Sequence, residues 1–174
     1  MSEPSHVSQT RAAYDIVADD YAALLADVLA ASIFDRAVLS AFAELVLTDG
    51  GGPVGDLGCG PGRVTAHLAS LGLSAFGVDL SPGMVAVARR TYPHLRFDQG
   101  SISDLAIADG VLAGAATWYS LIHTPPSLQP SVFASFIGSS ARPATWCWRS
   151  RSVTTNGAIW GWRTGTTSTS MPGD

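Results

Sequence analysis

The sequence predicts an α/β fold: a mostly parallel sheet, doubly wound, with helices on both faces. Three observations predict it. Short apolar runs recur every 20 to 25 residues, helical periodicity fills the intervals, and glycine or proline marks the main junctions. At 174 residues the chain has the size of one domain and can bury a core. With 47% hydrophobic and 14% charged residues, disorder is a poor reading of positions 1–138.

The elements follow in order. Tyr14, Val17, Tyr21, Leu24, Leu25 and Val28 recur at helical spacing over Thr10–Leu29. Phe34, Ala37, Val38, Ala41, Phe42 and Leu45 give a second helix over Ile33–Leu47. TDGGGP, at 48–53, is a loop by composition. Val54–Leu57 is a short strand entering a glycine-rich turn. A helix follows over Pro61–Leu71, with Pro61 in the first turn, where its missing N–H costs nothing. Ala75–Asp79 is the next strand, and Ser81 as N-cap with Pro82 behind it starts a helix that ends near Tyr92. Leu95–Gln99 is a third strand, and 110–119 contains a fourth. This alternation makes parallel βαβ units. The chain divides into a helical cap (1–50), a ligand-binding core (51–138) and a tail (139–174).

Composition excludes several partners. The net charge of −4 argues against a nucleic-acid backbone. The longest apolar stretch, Val111–Ile122, is too short and too polar to span a membrane. Cys59 and Cys147 are too few for a disulfide framework and fit a reducing cytoplasm. The first residues, MSEPSHVSQTR, do not make a signal peptide. No metal-ligand cluster stands out. All ten basic residues are arginines, which suggests a GC-rich gene.

The strongest feature is VGDLGCGPG, residues 54–62, at the end of the first strand. Gly58, Gly60 and Gly62 let backbone turn sharply and approach a ligand, and the following helix offers free N–H groups. In an open parallel sheet ligands bind here, outside the carboxyl ends of the strands. Asp79 ends the next strand, where a carboxylate can accept from both ribose hydroxyls. A dinucleotide site uses G-x-G-x-x-G at the same place. Here the third glycine falls one residue early, Arg63 stands where that pattern wants a small residue, and Asp56 is poorly placed beside a pyrophosphate but well placed for an ammonium.

From about residue 10 to 138 the sequence resembles the class I methyltransferases, whose mark is an E/D-x-G-x-G-x-G loop on a Rossmann-like sheet. The resemblance implies S-adenosyl-L-methionine as cofactor and a small-molecule methyl acceptor. It implies that Asp56, Gly58, Cys59 and Gly60 line the methionine end and that Asp79 holds the ribose. Leu80 and Met84 would pack on the adenine, and Ser101 with the Ile102 N–H would read its edge, at a position where many relatives carry Asp. Trp118 and Tyr119 would floor the site, and Tyr14 and Tyr21, in YDIVADDY, would close over the cofactor. The HTPP turn, 123–126, and the N-terminal helices would shape the acceptor site. Transfer from a sulfonium is an in-line displacement that needs positioning more than a fixed catalytic residue.

Plainer roles stand beside these. Asp56 and Asp79 suit a helix cap and an ordinary strand end, Met84 suits a core, and Tyr14 and Tyr21, seven apart, suit one packed helix face. His123 is a candidate general base, though such a histidine more often serves as a structural hydrogen-bonder. Cys59 is a small filler without a redox role.

After about Gly138 the composition changes: 139–174 hold four tryptophans and no leucine, with no apolar period of 2 or 3.6. The sequence reads here as a poorly structured tail, with the fold's C-terminal strands missing through truncation or frameshift. Regrouping the codons of Trp146-Cys147-Trp148-Arg149 two bases later gives Leu/Val/Met-Val-Leu-Ala, and GC-rich codons upstream give G-P-A-G-H, together resembling the turn and fifth strand of the family. The competing readings are an inactive cofactor-binding or non-binding fragment and, behind it, an NAD-dependent oxidoreductase.

Overall fold

The computed structural model describes residues 4–151 and 158–163. Three helices lead: α1 (Ser5–Leu25), the single turn α2 (Val28–Ala31) and α3 (Ile33–Thr48). The single helix expected over Thr10–Leu29 thus divides at Ala26–Asp27, after which a new turn begins. Ser32 caps α3, its hydroxyl accepting from the Asp35 N–H at 3.2 Å.

Then come β1 (Pro53–Leu57), α4 (Arg63–Ser70), β2 (Ser74–Asp79), α5 (Pro82–Thr91) and β3 (Arg96–Gln99). α4 starts later than Pro61. Gly62, at its N-cap, holds φ at 86°, a left-handed value that a helix interior does not admit, so Pro61 stays in the turn. α5 starts where the sequence places it, with the Ser81 hydroxyl accepting from the Met84 N–H at 3.1 Å. β4 (Leu112–Trp118) leads through two 3₁₀ turns, Leu121–His123 and Pro126–Leu128, into α6 (Gln129–Gly138), β5 (Ser140–Arg151) and β6 (Ala158–Arg163).

The sheet order is β3-β2-β1-β4-β5-β6, with β1 to β5 parallel and β6 antiparallel to β5. Strand alternation sorts the core. Val54, Ala116, Trp118 and Cys147 pack with Leu39, Phe42 and Val46 of α3 and Val64 and Leu68 of α4. Leu57, Val78, Leu112, Ala115 and Trp146 pack with Val132 and Phe136 of α6. Phe97 seats α5 through Val85 and Ala88. The direction of chain progression reverses between β1 and β4, which opens a crevice at their carboxyl ends.

The expectation that the C-terminal strands are missing is corrected by β5 and β6. Ala115 lies opposite Trp146 and Ala116 opposite Cys147, so the tryptophan-rich stretch occupies an interior strand. Such a strand is buried on both faces and needs no polar–apolar alternation, and tryptophan favours strands. Trp146 stacks on Phe136 with centroids 5.5 Å apart, Trp148 meets Phe133 edge-on, and Cys147 is buried on the other face. Arg149 pairs with Asp35 of α3, and its guanidinium lies 5.8 and 5.0 Å from the ring centroids of Trp118 and Tyr119. The rest of the tail, 152–157 and 164–174, lies outside the described residues.

Candidate functional site

Asp56, near the end of β1, is 1% exposed. Its Oδ2 accepts from the Thr65 hydroxyl at 2.6 Å, whereas its Oδ1 is buried with no hydrogen-bond partner among the described residues. Burial pushes the carboxyl up to about 6, against the Thr65 hydrogen bond and nearby Arg63, which lower it. An unmatched buried acceptor is costly, and Asp56 is among the residues that line a cleft.

The chain then turns under glycine control. Gly58 holds φ at 79°, and a Cβ there would come within 2.1 Å of the Ser120 Cβ, so the β1 loop passes the β4 exit only as glycine. Gly60 holds φ at 55° and opens on empty space, with nothing within 4 Å of a Cβ position. The Gly58 and Cys59 N–H groups donate to the Val78 carbonyl at 2.7 and 3.1 Å. The Gly60 N–H donates to Asp79 Oδ2 at 2.7 Å, and the Ser81 N–H donates to Asp79 Oδ1 at 2.9 Å. The glycine loop and the second carboxylate therefore share one rim of the sheet. Burial raises the Asp79 carboxyl, opposed by the backbone N–H groups of Ser81, Gly60 and Leu80. Burial, then the Asp56 and Asp79 charges, hold the Cys59 thiol well above its ordinary range, so it stays protonated.

α1 crosses this rim. Asp15 Oδ1 accepts from the Ser81 hydroxyl and from the Gly83 N–H, the latter at 2.9 Å, tying α1 to the start of α5. Tyr14 and Tyr21 thereby lean over the cleft, edge to face at 5.6 Å, beside Met84. Leu80, Met84, Ser101, Ile102 and Trp118 line the cleft with them. Tyr119, the non-glycine residue at positive φ (61°) among those described, bends the chain so that Ser120 passes Gly58 and the first 3₁₀ turn brings His123 to the cleft. There the Tyr14 hydroxyl lies 2.7 Å from His123 Nε2.

All the candidate cofactor-binding residues, with Tyr119 and His123, line this one cleft, whereas Gly62 lies outside its lining. Met84 fills two roles, being 1% exposed and packed in a core with Ala18 and Val87 while also facing the cleft. Asp15, Thr65 and Ser120 were not singled out. Asp15 stands next to Tyr14 in YDIVADDY, but its role depends on Ser81, 66 positions away. Among the described residues no cluster of three or more His, Cys, Asp or Glu has the makings of a metal site.

Comparison with known proteins gives concordant matches. Residues 54–138 match the family described as "Methyltransferase domain". The chain is similar to the trans-aconitate 2-methyltransferase of Methylobacterium nodulans, 40% identical over 78 residues that make 44% of this chain and 27% of that one. It is similar to the demethylmenaquinone methyltransferase of Chlorobaculum parvum, 38% identical over 55 residues, 31% of this chain and 23% of that one. The matched part thus spans about a quarter of these relatives' length. Among solved structures, magnesium protoporphyrin IX methyltransferase from Synechocystis PCC 6803 with bound SAM superposes at a TM-score of 0.68, with 17% identity over 88% of this chain and 79% of that one. The [4+2]-cyclase SpnF superposes at 0.65, also with 17% identity, over 86% and 61%. At that identity the two structures share the fold alone.

Proposed function

We propose that the cleft holds S-adenosyl-L-methionine and that the chain, whose residues 54–138 match the family described as "Methyltransferase domain", methylates a small-molecule acceptor as a class I enzyme. One observation carries the reading: the buried, unmatched Oδ1 of Asp56 beside the open backbone of Gly60. A carboxylate oxygen without a donor fits an ammonium, and a glycine with empty space above it admits a close ligand. Asp79 holds the ribose, Leu80 and Met84 supply apolar contact for the adenine, and Ser101 with the Ile102 N–H meets its edge. Cys59 fills the loop, Tyr14 and Tyr21 cover the site, and Trp118 floors it. Asp56 beside the loop disfavours a pyrophosphate, and with it NAD.

When bound, the cofactor supplies an electrophilic methyl group on a sulfonium. The chain's own residues align the acceptor with it and exclude water, which supplies much of the rate enhancement in such a displacement. No helix among the described residues is long and apolar enough to cross a membrane, and we place the protein in a reducing cytoplasm. We also retain a frame change upstream of Trp146 as the origin of the tail's composition. The shifted string Leu-Val-Leu-Ala falls on residues 146–149, which lie in β5 and pair with Ala115–Trp118. Sequencing the coding DNA tests it, and codons that cannot yield that string end it.

Equilibrium dialysis against methyl-tritiated S-adenosylmethionine tests the cofactor reading. Wild-type protein is expected to retain label and Gly60→Val to lose it. Retention by both, or displacement of the label by NAD, overturns it.

A further inference from the structure

The inference drawn here rests on that reading and adds the chemistry of the acceptor. Tyr14 comes from α1 and His123 from the turn after β4, 109 residues apart, yet phenol oxygen and Nε2 stand 2.7 Å apart. Their rings meet edge to face at 5.3 Å. Both side chains line the cleft. Nδ1 has no hydrogen-bond partner among the described residues, and His123 as a residue is exposed. Among the described residues no hydrogen bond or ion pair joins a carboxylate to the ring, whose partner is Tyr14. The other charged or titratable groups of the cleft are His6, Arg11, Tyr21, Cys59, Arg63, Tyr119 and the two carboxylates, Asp56 and Asp79. Burial lowers His123 below its ordinary 6.5. Burial, then Tyr21 and Asp79, raise Tyr14 above its ordinary 10. At neutral pH the phenol keeps its proton and the imidazole one free lone pair.

We propose that His123 Nδ1 accepts the proton of an acidic, phenol-type hydroxyl on the methyl acceptor, and that Tyr14 is the positioning residue, its oxygen taking the Nε2–H so that Nδ1 stays free. The balance is simple. The acceptor's O–H bond breaks and its proton goes to Nδ1. The oxygen electron pair forms the bond to the methyl carbon, while the carbon–sulfur bond breaks with its pair returning to sulfur, leaving a neutral thioether. The imidazolium then donates through Nε2–H to Tyr14 and releases the extra proton to water at the cleft mouth, where His123 is exposed. A phenol, with a pKa near 10, lies within reach of an imidazole base. An aliphatic alcohol is too weak an acid, and a carboxylic acid is already ionised and needs no base.

The first readout requires no turnover. With nitrogen-15-labelled histidine and S-adenosylhomocysteine bound, NMR is expected to show His123 as the neutral Nε2–H tautomer, its signal identified by loss in His123→Gln. Tyr14→Phe is expected to shift the tautomer balance. An Nδ1–H tautomer or a charged ring at neutral pH overturns the proposal. The second readout is transfer to phenol and to 4-nitrophenol, which is largely ionised at mildly alkaline pH. His123→Gln is expected to lower kcat on phenol by about 10²–10⁴-fold and far less on the nitrophenolate, with unchanged S-adenosylhomocysteine affinity. Tyr14→Phe is expected to lower kcat on phenol less and to shift the acid limb of the pH profile. Equal losses on both probes, or transfer to benzoate and to neither phenol, overturn the proposal. So does a wild-type protein that binds S-adenosylhomocysteine and methylates neither phenol. A wild-type protein that does not bind S-adenosylhomocysteine overturns the cofactor reading as well.

Discussion

The strand pairs β1–β2 and β4–β5 lie in one parallel sheet, yet they treat buried charge in opposite ways. At the ends of β1 and β2, Asp56 and Asp79 line the cleft, and Asp56 leaves one oxygen unmatched. Beside β4, the charge that β5 brings in is closed off: Arg149 meets Asp35 and lies over the two rings at the end of that strand. The contrast assigns a cost and a purpose to each. Burying a charge without its match is unfavourable, and on the proposed reading Asp56 bears that cost so that a ligand can bring the match.

The largest expected effect breaks the geometry that both sides share. Gly58→Ala forces a Cβ against Ser120 at a left-handed φ, and urea unfolding should show a loss of roughly 2–5 kcal/mol. Asp35→Ala comes next, because it strands Arg149 on the closed side. A loss of about 2–4 kcal/mol is expected, with Asp35→Ala/Arg149→Ala costing less than the two single changes together. An additive double mutant would show that the pair is not coupled.

Asp56→Asn should act with the opposite sign. The folded pKa of Asp56, about 6, lies above its ordinary 3.8, so the folded state binds the proton more tightly than the unfolded one. Its ionisation costs stability, progressively from pH 3.8 to about 6 and fully above, by up to about 3 kcal/mol. Asparagine removes the charge, and the variant's Tm should exceed wild type by about 5–10 °C at about pH 8, the gain fading toward about pH 4. A gain constant with pH would contradict this assignment. The smallest effect on stability belongs to Gly60→Ala, where the added methyl meets open space. It should cost about 1–2 kcal/mol through its backbone alone, while weakening cofactor binding more than tenfold. Unfolding and dialysis together check both halves.

The same contrast explains what the sequence disclosed. Residues 54–62 and 79 were legible because their roles are local: positive-φ turns ask for glycine, and strand ends ask for short apolar runs. The cleft-lining residues after β3 and β4 followed from the family pattern. β5 was not legible, since its stability comes from partners far away in sequence: Trp146 on Phe136, Cys147 against the α3 side, Arg149 on Asp35. An interior strand flanked on both faces leaves no alternation to read. Asp15 was missed for the same reason, because its function is to bind the start of α5.

The central claim is that the vacant oxygen of Asp56 seats the cofactor's ammonium. Calorimetric titration of S-adenosylhomocysteine into wild type and Asp56→Asn, from about pH 5 to about pH 8, tests it most directly. The expected wild-type affinity rises about tenfold per pH unit below about 6 and levels off above it, while the variant binds weakly with no such rise. Equal affinities with the same pH dependence in both proteins would contradict it.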